Sequence, residues 1–312
     1  MEFKVYLNKN TEHFIYKDEG RETKAEFNFT QTLLELLDLD IVKYEYLFDD
    51  MKKALYELYS KENVDRNISV IKSRLDTLAE FHIYFKLVKI EWFERLDKFY
   101  HNDCKSATDT LPIKQLTRIP SYVVEHQRQI ADILNTVLNI FSFDGEIQKK
   151  MIRYYERGFD IKFKFSNLPT SFEIADSSIF TEVLLPKNIY EIIEFFVREL
   201  IKREQPFKVC KSCGRYFAII SHTNSEYCNR LFKDTNKTCK EIGAVKVYQA
   251  KVADNLAMKE FNKAYKTHFA RIKYKRMTKE EFKIWSDAAR KYRDEVMEEK
   301  KPLDDFVKWL KR

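Results

Sequence analysis

The chain has 312 residues, 44% of them hydrophobic, with only 5 Gly, 6 Pro and 5 Cys, and a formal net charge of +7. That is ample to bury a core, and so few turn-formers point to a mainly α protein. The opening MEFKVYLNKN lacks the apolar run of a secretion signal, no stretch reaches the roughly 18 to 20 apolar residues of a membrane span, and an odd cysteine count argues against a disulfide framework.

These exclusions leave the expectation of a cytoplasmic protein without membrane segments, in which metal binding is the better use of the cysteines. In chain order, EFKVYLN and HFIYKD read as a short β-hairpin around Asn8–Glu12. The stretch TQTLLELLDLDIVKYEYLFDDMKKALYELY has helical periodicity, broken near Leu39–Asp40, and Ile68 to Tyr100 reads as one long aromatic-rich helix. HNDCKSATDTLPIKQLTRIPS, with two prolines and many small polar residues, is a loop carrying the lone Cys104. Helices follow from about Tyr122 to Phe141 and from Gly145 to Arg157. IKFKFS alternates like a strand, FEIADSSIFTEVLLP is irregular or partly extended, and NIYEIIEFFVRELIKRE is helical. Beyond the cysteines, a helix is expected from about Glu241 to Arg276, with Met258, Phe261, Tyr265, Phe269 and Ile272 as its apolar stripe. Thr278 and Glu281 spell a capping box, and Pro302 suits the first turn of a final helix. The expected organisation is a mainly helical region with minor β structure over 1–200, a four-cysteine knuckle over 201–245, and a basic helix with C-terminal helices over 246–312.

Cys210, Cys213, Cys228 and Cys239 are spaced C-x2-C-x14-C-x10-C. A C-x2-C pair lets two thiolates reach one ion from a tight turn, and the glycine that follows lets backbone N–H groups face sulfur. Four thiolates suit structural zinc, a closed tetrahedral site of zinc-ribbon or treble-clef type. Two other readings stay open: His222 in place of Cys239, or four reduced cysteines packing as small hydrophobes. Charge concentrates here. Residues 202–276 hold 18 Lys and Arg against 6 Asp and Glu, whereas residues 1–201 hold 28 against 34. Such asymmetry points to a polyanionic partner.

CKSCGRYF, then EYCNR, then TCKEIGA with its following basic helix and ARIKYKRMTKEEFKIW, resembles an uncharacterised bacterial domain-of-unknown-function family. More distantly the segment is similar to the CGNR zinc-finger regulators, although this chain has YCNR at 227–230 and no CGNR after its last cysteine. The resemblance implies that the four cysteines are metal ligands and that the finger contacts DNA. The expected nucleic-acid contacts are Arg215, Arg230, Lys233, Lys237, Lys240 and Lys246 near the knuckle, and Lys259, Lys263 and Lys266 along the helix. No glycine-rich phosphate loop, G-x-S-x-G or H-E-x-x-H is present, and no catalytic residue is assigned. His82 and His268 sit in apolar patterns and read as satisfied core histidines. The rival to nucleic-acid binding is an interaction component of a mobile element or phage-defence system, with a protein partner at the N-terminal helices and a zinc site that only braces the fold.

Overall fold

The computed structural model describes residues 3–18, 20–101, 107–140, 145–158, 162–176, 179–220, 225–232, 235–243, 245 and 255–311. Cys104, His222, Lys233 and Lys246 lie outside the described residues. The chain divides into two compact units. The first comprises Met1–Val209 with Arg215–Ser225, and the second comprises Cys210–Gly214 with Glu226–Arg312. Among the described residues, no helix is long and apolar enough to cross a membrane.

The first unit opens on the expected hairpin, β1 (Phe3–Asn8) and β2 (Thr11–Asp18), and a third strand, β3 (Arg21–Asn28), follows. The partly extended stretch supplies β4 (Thr170–Asp176) and β5 (Ile179–Leu184), giving an antiparallel sheet in the order β3-β2-β1-β5-β4. The period-2 alternation of β1 and β2 sends Phe3, Val5, Leu7, Phe14 and Tyr16 to the main core. Tyr6, Ile15 and Val183 pack together on the other face.

Helices α1 (Gln31–Asp38) and α2 (Glu45–Tyr59) are separated by a 3-10 turn at Ile41–Tyr44, the break expected near Leu39–Asp40. The long helix expected from Ile68 to Tyr100 is two: α3 (Val64–Phe81) and α4 (Tyr84–His101). The cause is His82, which takes an extended conformation. Its Nδ1 accepts the Tyr84 N–H at 3.2 Å, while Nε2 lies 2.8 Å from the Thr32 carbonyl oxygen and donates to it. The imidazole caps α4 as a Ser or Asn would, so periodicity runs across a boundary made by a side chain.

Short helices α5 (Ala107–Thr110) and α6 (Ile113–Thr117) lead to α7 (Ile119–Thr136) and α8 (Ile147–Glu156). The expected strand at IKFKFS does not form; its described residues 162–166 carry no regular structure. Phe163 is instead held by the Tyr154 hydroxyl, which accepts the Phe163 N–H at 2.9 Å. Helix α9 (Ile189–Lys202) starts at Asn188, whose side chain accepts the Glu191 N–H, and β6 (Phe207–Val209) and β7 (Tyr216–Ala218) pair as a small hairpin.

In the second unit the helix expected over 241–276 is corrected. Residues 239–243 are helical, and a separate helix, α10 (Leu256–Lys273), begins where the Asn255 side chain accepts the Met258 N–H at 3.0 Å. Helix α11 (Lys279–Met297) has the expected reciprocal Thr278–Glu281 capping box, and α12 (Leu303–Leu310) follows Pro302. Ala257 and Phe261 of α10 pack with Ala289 of α11 and Phe306 and Leu310 of α12. His268 is buried and stacks on Trp285 at 3.9 Å, as a core histidine. Phe269, expected on the apolar stripe, is 59% exposed: the buried face turns toward His268 instead.

Candidate metal centre

Cys210 and Cys213 occupy the turn between β6 and β7. Gly214 stands at φ +73°, a left-handed conformation natural to glycine, and its N–H closes the turn onto the Cys210 carbonyl at 2.9 Å. The second pair comes from the segment after residue 225. Cys228 donates its N–H to the Cys210 sulfur at 3.4 Å. A return turn then brings the Cys239 N–H to the Arg230 carbonyl at 2.8 Å and the Lys240 N–H to the Cys228 carbonyl at 3.1 Å. Cys239 opens the helical residues 239–243, where the Thr238 and Glu241 side chains cap one another's N–H groups.

The four Sγ atoms lie within 4.8 Å of one another, and Cys213 and Cys228 are 3.7 Å apart. That is far beyond the roughly 2.05 Å of a disulfide. It matches the edge, about 3.8 Å, of a tetrahedron with metal–sulfur arms of about 2.3 Å. Cys210, Cys228 and Cys239 are buried, so no sulfur of these three faces bulk water. Without a cation, the electrostatics of the four sulfurs run against four thiolates. Burial raises the Cys228 and Cys239 thiols above their ordinary range. At Cys210 burial acts the same way, but the N–H groups of Cys228, Cys213 and Ser212 outweigh it and bring the thiol down to about 7. Four sulfurs this close ionise together only around a cation, and the cluster has the ligand set and spacing that could hold a metal ion.

One supporting contact was not read from the sequence. A Cβ added at Gly243 would lie 2.5 Å from the Tyr227 ring, so the aromatic neighbour of Cys228 packs directly on the helix that begins at Cys239. The only sequence signal was a glycine inside a helical stretch, in TCKEIGA. Gly243→Ala is expected to push Tyr227 aside and destabilise this unit by about 1–3 kcal/mol, the range for overpacking. Thermal unfolding of the variant with metal bound checks it; an unchanged midpoint would show that the ring yields freely.

The expected nucleic-acid contacts divide. Lys237 and Lys240 are exposed beside the cysteines, and Lys259, Lys263 and Lys266 are exposed on α10. Arg230 is half-buried in the return turn. Arg215 belongs to the first unit, where its guanidinium lies 3.8 Å from Asp38. Lys211 is paired with Glu226 at 2.6 Å.

Residues 175–308 match the model of a family of unknown function, DUF6076; that span includes all four cysteines, α10, α11 and most of α12. Neither a curated protein nor a solved structure matches the chain.

Proposed function

We propose that the cysteine cluster holds a structural zinc ion and that the second unit binds nucleic acid through the basic face of α10 and the lysines beside the metal. Zinc is the ion that best suits four sulfur ligands in a closed tetrahedron, with all positions filled by protein and none left for water. The observation that carries the nucleic-acid reading is the stripe on α10. Lys259, Lys263 and Lys266 follow i, i+4, i+7 spacing, and Lys273 continues the row over about 21 Å of helix. All four are exposed, and among the described residues none of them has a carboxylate within ion-pair distance. The opposite face is fixed by packing of Phe261 and His268, so the row cannot rotate away from solvent. Unneutralised cations at this spacing suit phosphates, whose bound counterions are released on contact.

The test is a titration against duplex DNA, single-stranded DNA and RNA at two salt concentrations, repeated with the double variant Lys259→Glu/Lys263→Glu. Binding is expected to weaken steeply with salt. The double variant should bind more weakly and, on duplex DNA, lose about 0.9 of logarithmic salt slope per phosphate contact removed. Binding that ignores both changes would remove α10 from the contact surface.

A second reading has its own observation. Phe172, Ile174 and Phe180 share one face of the β4–β5 hairpin and are 71%, 68% and 70% exposed. An apolar cluster of this kind on an edge hairpin suits a protein partner. If no nucleic acid binds at either salt concentration, this hairpin becomes the working surface, and the metal only braces the second unit.

A further inference from the structure

The first unit contains a cavity of about 790 Å³, within the usual range for small-molecule sites of about 300–1,000 Å³. Its walls come from α4, from α6 and α7, from the irregular segment around residues 162–166, and from the start of α9. Leu87, Val88, Trp92 and Val123 make an apolar floor. Tyr122, His126 and Tyr190 add ring surfaces, the last two with centroids 4.8 Å apart.

The charge around this cavity opposes that of its surroundings. Residues 1–201 carry more acid than base, yet six cations and only two carboxylates, Glu91 and Glu125, line the cavity. Two of the cations are already engaged: Arg95 with Glu91 at 2.7 Å, and Lys162 with Asp132 at 3.4 Å. Lys114, Arg118, Lys164 and Lys187 are exposed, and among the described residues none of them has an ion-pair partner. They come from separate segments of the chain, and an ordinary solvated helix face does not gather them. Four unpaired cations around a cavity with apolar and ring-bearing walls ask for a ligand that joins several negative charges to a flat ring. Gln129 is buried in the wall, where its Oε1 accepts from His126 Nδ1–H at 3.2 Å and its Nε2 donates to Glu125 at 3.3 Å, which fixes the polar edge available to such a ring.

We propose that this cavity binds a nucleoside triphosphate, with the base against Tyr122, Tyr190 and the apolar floor and the phosphates on Lys114, Arg118, Lys164 and Lys187. The site is independent of the cysteine unit and of the nucleic-acid reading.

The experiment is calorimetric titration of the full chain with ATP, GTP, CTP and UTP in turn, and with pyrophosphate and adenosine alone. At least one triphosphate should bind saturably, at least tenfold more tightly than pyrophosphate. The variant Lys114→Glu/Arg118→Glu should lose at least tenfold in affinity, whereas Lys259→Glu/Lys263→Glu should leave it unchanged. Both cavity positions are exposed, so the fold is expected to persist, and circular dichroism verifies it; Tyr122→Ala provides a second, charge-neutral loss. Three results overturn the proposal: no triphosphate binds, pyrophosphate binds as tightly as any of them, or affinity survives both cavity variants.

Discussion

Replacing Cys239 with serine is expected to strip the chain of its metal and unfold the segment around the cysteines. Cys239 is fully buried, and its backbone closes the return turn on Arg230. It also starts the helix against which Tyr227 packs. Around the cysteines, residues 210–214, 226–232 and 235–243 bury little apolar surface: Leu231 is exposed and Tyr227, Phe232 and Ile242 are only half-buried, too little to offset the entropy of ordering. Zinc binding of this kind is worth about 10–16 kcal/mol in small fingers, and under the proposed reading it would do the work a core would otherwise do. Elemental analysis of the native chain should give one zinc per molecule, and the Cys239→Ser variant a small fraction of that. A strong chelator should lower the native unfolding midpoint and leave the variant's unchanged. Acid should release the metal as well, because protons compete for the thiolates. A metal-free native chain that unfolds at an unchanged temperature would mean that the cysteines pack as small hydrophobes.

What the sequence displayed and what it hid follow from the range of each interaction. The first hairpin, the break after Leu39 and the Thr278–Glu281 box depend on neighbours a few residues apart, and period and cap residues reveal them. The cysteine cluster was legible because metal ligands need a particular atom type and two of them shared one turn. The boundaries at His82 and Asn255 were not. Histidine is no standard cap, and its ring works here only because the Thr32 carbonyl, fifty residues earlier, fixes the tautomer. IKFKFS alternates like a strand but found no partner strand, and tertiary contacts overrode its pattern. The cavity cations were hidden for a similar reason: they are spread from Lys114 to Lys187 through a segment whose overall charge is acidic, and only the fold gathers them.

The same fold gathers two buried ionisable groups that should govern the pH response of the first unit. Glu12 is fully buried on the core face of β2, where its carboxylate accepts the N–H groups of Thr30 and Thr32 and the Thr32 hydroxyl at 2.6–3.2 Å. Burial outweighs these bonds and pushes its carboxyl up to about 7. His82 grips the carbonyl of the same Thr32, and burial pushes its imidazole down to about 4, against one opposing bond. The two groups act in opposite directions. Folded Glu12 holds its proton where the unfolded chain has released it, so its contribution is full below about 4.5 and is lost as pH rises through 7. Unfolded His82 takes up a proton that the folded ring refuses, so its contribution is present above about 6.5 and is lost as pH falls through 4. Each shift corresponds to about 3–4 kcal/mol at roughly 1.4 kcal/mol per pH unit. Between pH 4.5 and 6.5 the two slopes nearly cancel, and the native first unit should show little pH dependence from this pair. Glu12→Gln removes the titration and, at a pH-independent cost, one of the two oxygens that accept the Thr30 and Thr32 N–H groups; it uncovers the histidine, so stability should climb by about 3–4 kcal/mol from pH 4 to 6.5. His82→Asn, which can still cap α4, should do the reverse and lose stability from pH 4.5 to 7. Denaturant unfolding at half-unit pH intervals reads the slopes directly, and a uniform loss of stability from altered packing would shift a curve without tilting it. Parallel curves for the native chain and Glu12→Gln would show that Glu12 titrates normally inside the fold.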